Sequence, residues 1–276
     1  MNSFADCSNA FDFTGKRVLI TAGAGILGPQ FAAGFLQHGA HVAIADINPE
    51  TLATVAGELE QAYPGRVLAI VSDVADVQSV DAMVERTVEV FGGIDVLLNN
   101  AAYFPDDFPS FFTRFEDYSL DQWRKVMSVN IDGMFLVAQR VGRQMLAQGT
   151  GGSIVQTSSI YGVMASDQRI YEGSEYLGSP INNPAAYAAS KTAVVGLSRW
   201  LAAYWADKGI RVNTLAPGGV ESGQNETFTS RYGARVPMGR MAKVNEMTST
   251  VLYLASDASS YVTGQCIVVD GGLSAW

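Results

Sequence analysis

The sequence predicts an α/β fold, a doubly wound, seven-stranded parallel sheet flanked by helices in a single domain. Three observations carry that prediction. Short apolar runs alternate with longer amphipathic stretches from Arg17 onward, with no hairpin signal between them. The first run ends in a glycine-rich turn that opens a helix. A chain of 276 residues, 48% of them hydrophobic, can fill one large core, and neither an interdomain linker nor an internal repeat interrupts it.

Arg17–Ala22 is the first strand; it runs into Gly23-Ala-Gly-Ile-Leu-Gly28, and Pro29 opens a helix to Gln37. Gly23, Gly25 and Gly28 match G-x-G-x-x-G. Their missing side chains let the turn's backbone, through Ile26 and Leu27, and the helix start approach a pyrophosphate, although a purely structural turn reads the same way. The second strand, His41–Asp46, ends in a carboxylate suited to the hydroxyls of an adenosine ribose. Ile47 follows, and no Arg or Lys comes before Arg66, so a 2′-phosphate would meet a carboxylate and find no cation. That selects NAD over NADP, against the plainer reading of Asp46 as an acidic loop residue.

Asn48-Pro49-Glu50 caps a helix to about Tyr63. The third strand, Arg66–Val71, ends in Ser72-Asp73-Val74, where Asp73 either meets an adenine amino group or caps the helix from Val77 to Phe91. The fourth begins at Ile94 and runs into Asn99-Asn100-Ala101-Ala102. Ligands of such sheets sit beyond the strand C-termini, where the glycine turn, Asp46, Asp73 and Asn100 all fall.

Residues 103–118 hold Phe104, Phe108, Phe111, Phe112 and Phe115, interrupted by prolines, a loop suited to wall a substrate pocket or to form a subunit contact. Ser119 caps a long helix, Leu120 to about Leu146, in which the amide of Asn130 sits among apolar residues and needs a hydrogen-bonding role. Gly152–Ile160 is the fifth strand, ending in the hydroxyls of Ser158 and Ser159. Residues 163–186 read as loop, and a loop of that length inside a compact domain points to function. The helix carrying Tyr187 runs to about Asp207, Gly209 ends it, and Ile210–Leu215 is the sixth strand. Residues 218–241 form a third loop, Asn245–Ala255 a helix, and Gln265–Asp270 the seventh strand.

Tyr187 and Lys191 place a phenol and an ammonium one helical turn apart. Tyr204 and Lys208 repeat the spacing at the far end of the same helix, away from the ligand edge. A phenol of pKa about 10 works as a base near neutrality only when a neighbouring cation stabilises the phenolate. His38 and His41 lie at the wrong end of the sheet to serve as ligands, and Cys7 and Cys266 are too few for a disulfide framework or a thiolate site, so no metal is expected. The net charge of −9 argues against nucleic acid or an anionic membrane as partner, and no apolar run approaches spanning length. The expectation is a cytoplasmic protein with an arm at residues 1–12 ahead of a single domain at 13–276.

From Lys16 to Gly272 the chain resembles the short-chain dehydrogenase/reductase family. The resemblance rests on an ordered set: the Thr21-to-Gly28 turn, Asp73-Val74, Asn99-Asn-Ala-Ala102, Asn130, Ser158-Ser159, Tyr187-x-x-x-Lys191, Pro217-Gly218 and Val269-Asp-Gly-Gly272. It implies a Rossmann-like domain that moves hydride between NAD and a secondary alcohol or ketone. Tyr187 would be the acid/base, Ser159 would hydrogen-bond the substrate oxygen, Lys191 would bind the nicotinamide ribose and lower the phenol's pKa, and Asn130 would hold a water relaying protons to Lys191. The cofactor contacts it implies extend to Val74, Ala101, Ala102, Pro217, Gly218, Val220 and Ser222. It also implies a homotetramer, or a dimer, with the helices Leu120–Leu146 and Tyr187–Asp207 as contact faces.

Three features depart from the family pattern. Ala22 stands where the turn's first glycine is usual, and the Gly25-to-Gly28 spacing resembles a nucleotide-sugar-modifying branch. Ala102 replaces a glycine on the nicotinamide side. Ser159 and Tyr187 lie 28 positions apart, further than is common. The Ile170-Tyr-Glu-Gly173 insertion, Arg114-Phe-Glu-Asp117 and the aromatic loop resemble a branch associated with bacterial surface and flagellar sugar biosynthesis. That implies a sugar-derived substrate, with Arg169, Glu172 or Glu175 available to its polar groups. Two alternatives stand beside this reading. One is a nucleotide-sugar epimerase or dehydratase, for whose larger substrate domain the chain ends too soon; the other is a non-catalytic NAD-binding sensor, against which all four catalytic positions are kept.

Overall fold

The computed structural model describes residues 9–176 and 178–276; Cys7 and most of the expected arm lie outside the described residues. Seven parallel strands form one sheet: β1 (Arg17–Thr21), β2 (His41–Asp46), β3 (Val67–Val71), β4 (Val96–Asn99), β5 (Gly152–Thr157), β6 (Ile210–Pro217) and β7 (Cys266–Val269). Their order is β3-β2-β1-β4-β5-β6-β7. Strand order therefore reverses between β1 and β4, and the helices leaving these two strands lie on opposite faces, opening a crevice at the strand C-termini.

Alternation along β1 shows how both faces are covered. Val18 and Ile20 enter a core with Phe31, Phe35, Val251 and Leu252, whereas Leu19 enters the opposite core with Leu97, Val141 and Trp205. A strand buried on both faces has no polar position to spare, which explains the unbroken apolar runs. Phe13 packs edge-on against Phe35, ring centroids 5.0 Å apart.

Four elements differ from expectation. The helix after Ser119 is α-helical over Leu120–Met127 and Met134–Gln148, with a π-helical turn at Ser128–Gly133 between them. Residues 163–186 contain a 3₁₀ turn, Gln168–Tyr171, and a small antiparallel hairpin pairing Glu175–Tyr176 with Ser179–Pro180. The 218–241 segment contains a ten-residue helix, Glu226–Arg235, which Asn225 caps through the N–H of Phe228. The cap was visible in the sequence, but Gly, Ser and Asn around it read as loop. The helix expected from Asn245 is a 3₁₀ turn over Val244–Met247 and α-helical only from Thr248. Among the described residues no helix is long and apolar enough to cross a membrane.

Candidate active site

Thr21 closes β1 and ties it to β4 at the crevice. Its hydroxyl donates to Asn99 Oδ1 at 3.3 Å and accepts from the N–H groups of Asn100 and Ala101 at 2.9 and 3.1 Å. Asn99 Nδ2 in turn donates to the carbonyl of Met134 and to Gln156 Oε1. Sequence reasoning passed over Thr21 and Asn99 as anchors. The signal was a polar residue closing an otherwise apolar strand, since a buried polar group needs partners.

After Thr21 the chain turns sharply. Ala22 is the one non-glycine residue with positive φ among those described, at 50°, the region in which glycine is unstrained. The departure from the family's glycine is thus a strained alanine rather than a different turn. At Gly28 a Cβ would lie 2.4 Å from the carbonyl oxygen of Ala22, and at Gly23 it would lie 2.5 Å from Ile44 Cβ. Both positions hold the turn against β2 and bring Gly25, Ile26 and Leu27 to the start of the helix Gly28–Gln37. Asp46 reaches the same turn: Oδ2 accepts from Ala24 N at 3.1 Å and Oδ1 from Asn48 N at 3.1 Å, while Ile47 beside it is exposed. Asp73 does not cap the following helix; Asp76 does, through the N–H of Ser79. Asp73 accepts from Ala75 N with Oδ1, and Val74 packs beneath Gly133.

On the other side of the crevice, Ser158 Oγ donates to the carbonyl of Lys191 at 2.6 Å, pinning the end of β5 to the helix Ala185–Trp205. Ser159 follows, its hydroxyl accepting from Tyr161 N at 3.2 Å and capping a 3₁₀ turn, Ile160–Gly162. Lys191 is 2% exposed; its ammonium donates to the carbonyl of Thr157 at 3.1 Å and lies 5.8 Å from the centre of the Tyr187 ring. Burial pulls its pKa down to about 8, because the charged form has lost its hydration. Burial also raises the pKa of the Tyr187 phenol, while hydrogen bonding with Ser159 pulls it the other way. Lys191 is near enough to act on the phenol but makes no hydrogen bond to it. The ammonium is bonded to Thr157, and desolvation governs the phenol.

Asn130, fully buried in the π turn, has a partner on each polar atom of its side chain. Oδ1 accepts from Tyr103 N at 2.7 Å, and Nδ2 donates to Ser190 Oγ at 2.9 Å, itself bonded to the carbonyl of Tyr187. Its side chain joins the aromatic loop to the Tyr187 helix.

The remaining expected contacts line the same edge. Gly218 N donates to the carbonyl of Val269 just past Pro217, Val220 bridges to Ala242, and Ser222 is hydrogen-bonded to Gln224. Ala101 is buried and Ala102 exposed at the end of β4. Of three residues offered to a substrate's polar groups, Arg169 is exposed and paired with Asp167 at 2.8 Å, and Glu172 and Glu175 are exposed and line an open cavity with Tyr171 and Asn182. Tyr204 stacks on Trp200 at 4.7 Å, and Lys208 pairs with Asp207, so the second Tyr-Lys spacing carries no site. His38 bonds the carbonyl of Gly34 and His41 packs against Phe91; among the described residues no cluster of His, Cys, Asp and Glu could hold a metal.

The donor set fits a nicotinamide dinucleotide: a tight turn at a helix start for a pyrophosphate, a carboxylate beside it for a ribose, and a buried ammonium with a phenol and a hydroxyl across the crevice. Comparison with known proteins agrees. A family model described as enoyl-(acyl carrier protein) reductase matches residues 22–274. The chain is 37% identical over 263 residues to the 3-oxoacyl-[acyl-carrier-protein] reductase FabG of Thermotoga maritima, covering 94% of this chain and 98% of that one. It is 34% identical over 279 residues to the D-threitol dehydrogenase of Mycolicibacterium smegmatis, covering 99% and 98%. A gluconate 5-dehydrogenase from Burkholderia cenocepacia, solved with NADP and tartrate, superposes with a TM-score of 0.83 at 33% identity, covering 97% of this chain and 98% of its own. The chain belongs to the short-chain dehydrogenase/reductase family of oxidoreductases.

Proposed function

We propose that the protein is an NAD(H)-dependent dehydrogenase of a secondary alcohol or ketone, with Tyr187, Ser159 and Lys191 as its catalytic residues. The observation that carries this reading is the junction of β5 and the Tyr187 helix, where a desolvated phenol, a hydroxyl and a buried ammonium meet at the sheet's ligand edge. The dinucleotide supplies the hydride acceptor in oxidation and the hydride donor in reduction. Tyr187 moves the proton at the substrate oxygen: its phenol, neutral in this setting, donates to the oxygen formed on reduction, and its phenolate accepts the hydroxyl proton on oxidation. Ser159 holds that oxygen by hydrogen bonding. Lys191 binds the ribose hydroxyls near the phenol, and Asn130 is the anchor for a relay water.

NAD is favoured by Asp46. Its carboxylate is fixed beside the turn by two N–H groups, and it joins no ion pair among the described residues. Arg66 is held at the other end of β3, donating to the carbonyl of Leu36 and lying over Tyr63. The D-threitol activity named for one relative supports a polyol or sugar-derived substrate. Self-association through the outer face of the Tyr187 helix is supported by the exposed, stacked Trp200 and Tyr204.

Tyr187→Phe tests the assignment. The ring remains and the transferable proton is gone, so turnover with alcohol or ketone is lost while NADH binding, followed by fluorescence, persists. Undiminished turnover in that variant would overturn the mechanism.

A further inference from the structure

The insertion between Ser159 and Tyr187 is tied to the site at several points. Gln168 clamps the main chain of Asn183, Nε2 donating to its carbonyl at 2.9 Å and Oε1 accepting its N–H at 3.1 Å. Asn182 Nδ2 donates to the carbonyl of Phe112 in the aromatic loop. Tyr171 lies against Phe228, centroids 5.3 Å apart, and its hydroxyl donates to that of Tyr161 at 3.2 Å. Tyr161 follows Ser159 by two residues, and its N–H donates to the Ser159 hydroxyl. Phe228 also packs against Tyr232, centroids 5.7 Å apart, so Tyr161, Tyr171 and Tyr232 form one phenol cluster that begins two residues after Ser159. Burial raises the pKa of Tyr161, Tyr171 and Tyr232, which keeps these hydroxyls neutral at working pH. Asn183, four residues before Tyr187 and 8% exposed, has a side-chain amide neither of whose polar atoms finds a partner among the described residues.

The guanidinium groups around this insertion are engaged, while the carboxylates of Glu172 and Glu175 are exposed and join no ion pair among the described residues. Arg169 and Arg235 both bind Asp167, and Arg231 donates to the main-chain carbonyls of Glu172 and Arg169. A substrate carboxylate or phosphate beside Tyr161 would therefore meet phenols and amides rather than a free guanidinium, and its desolvation would go uncompensated.

Building on the dehydrogenase reading, we infer that the insertion makes the enzyme selective for an uncharged, vicinally hydroxylated substrate, an alditol, cyclitol or free sugar, whose second hydroxyl is held by the Tyr171–Tyr161 hydroxyl pair. Tyr171 is then a specificity residue delivered by the insertion.

The test is a kcat/KM comparison with NAD across alditols, cyclitols and aldoses, their anionic counterparts of the same chain length (aldonates and sugar phosphates), and cyclohexanol as a one-hydroxyl reference. Neutral polyols are expected to exceed their anionic counterparts by at least about tenfold, the discrimination of one or two buried hydrogen bonds. Tyr171→Phe keeps the ring against Phe228 and removes only the hydroxyl. It should lower kcat/KM for the best polyol by about tenfold, mainly through KM, and for cyclohexanol by no more than about twofold. A preference for the anionic series, no turnover of any neutral polyol, or an equal loss on polyol and cyclohexanol overturns the inference. Thermal melting of the variant separates misfolding from lost recognition, and Tyr161→Phe is the second arm, expected to produce the same split. Tyr187→Phe run alongside distinguishes the two levels. If it abolishes turnover while the polyol split is absent, only the specificity inference fails; if it leaves turnover intact, the catalytic reading fails first.

Discussion

Replacing Lys191 by Met removes a charge that the folded protein buries at a cost, and the size of that cost follows from the structure. The ammonium is 2% exposed, and its pKa falls from the ordinary 10.5 to about 8. At 1.36 kcal/mol per pH unit the difference is worth about 3 kcal/mol, give or take about 1. Below pH 8 the lysine is protonated in both the folded and unfolded chains, and the native state carries the whole penalty. Between pH 8 and 10.5 the unfolded chain still binds the proton and the folded one has lost it, so stability rises with pH. Above 10.5 both are neutral and the penalty is gone. Urea unfolding at pH 8 and pH 10, at one protein concentration, should therefore show Lys191→Met gaining on the wild type at pH 8, with about 2–3 kcal/mol of that advantage lost by pH 10. Parallel stability profiles for the two proteins would refute the claim that the ammonium is desolvated, and with it the ordering of the phenol and ammonium described above.

Three further outcomes follow from the same geometry. Because the Tyr187 phenol is held above its usual value, kcat/KM for oxidation should climb roughly tenfold per pH unit between pH 7 and 9 as phenolate accumulates, while reduction stays flat; a flat oxidation profile would contradict it. Asp46→Ser should raise kcat/KM with NADP relative to NAD by at least about tenfold, since the 2′-phosphate no longer faces a carboxylate, and a wild type that already prefers NADP would show that Asp46 has been misread. Ala22→Gly should stabilise the protein by about 0.5–1 kcal/mol, the left-handed penalty at φ 50° less the extra freedom that glycine gives the unfolded chain. A loss of stability in that variant would mean the alanine methyl is doing packing that the turn requires.

The sheet was legible because its central strands are buried on both faces and its edge strands are apolar though partly exposed, and the turn at Gly23 to Gly28 because glycine alone tolerates the contacts at Gly23 and Gly28. The helix Glu226–Arg235 and the hairpin at Glu175–Pro180 were not legible. The helix packs Phe228 against the distant Tyr171, and the hairpin is a two-residue pairing closed by Ile181 N on the carbonyl of Ser174, too short to show a period. A partner in the fold also explains why Arg169 only looked available to a ligand. Sequence shows that a charge is present; only the fold shows that Asp167 has taken the guanidinium of Arg169.

The loops and the catalytic helix are coupled through amides, and the π turn accounts for one of those links. A continuous α-helix from Leu120 to Gln148 would carry a residue at Asn130 on a face set by 3.6 residues per turn; the wider turn at Ser128–Gly133 resets that phase before Met134. In the observed setting Asn130 reaches Tyr103 N on one side and Ser190 Oγ on the other, while Met134 accepts from Asn99. Asn182 then joins the aromatic loop to the insertion through Phe112, and Gln168 fixes the insertion to the residue before Pro184, where the Tyr187 helix begins. The circuit runs from the helix through Asn130 to the aromatic loop, on to the insertion, and back to the helix. The insertion and the aromatic loop are thus hydrogen-bonded on both sides of Tyr187, at Asn183 and at Ser190, so the proposed recognition at Tyr171 and proton transfer at Tyr187 would rest on one connected frame.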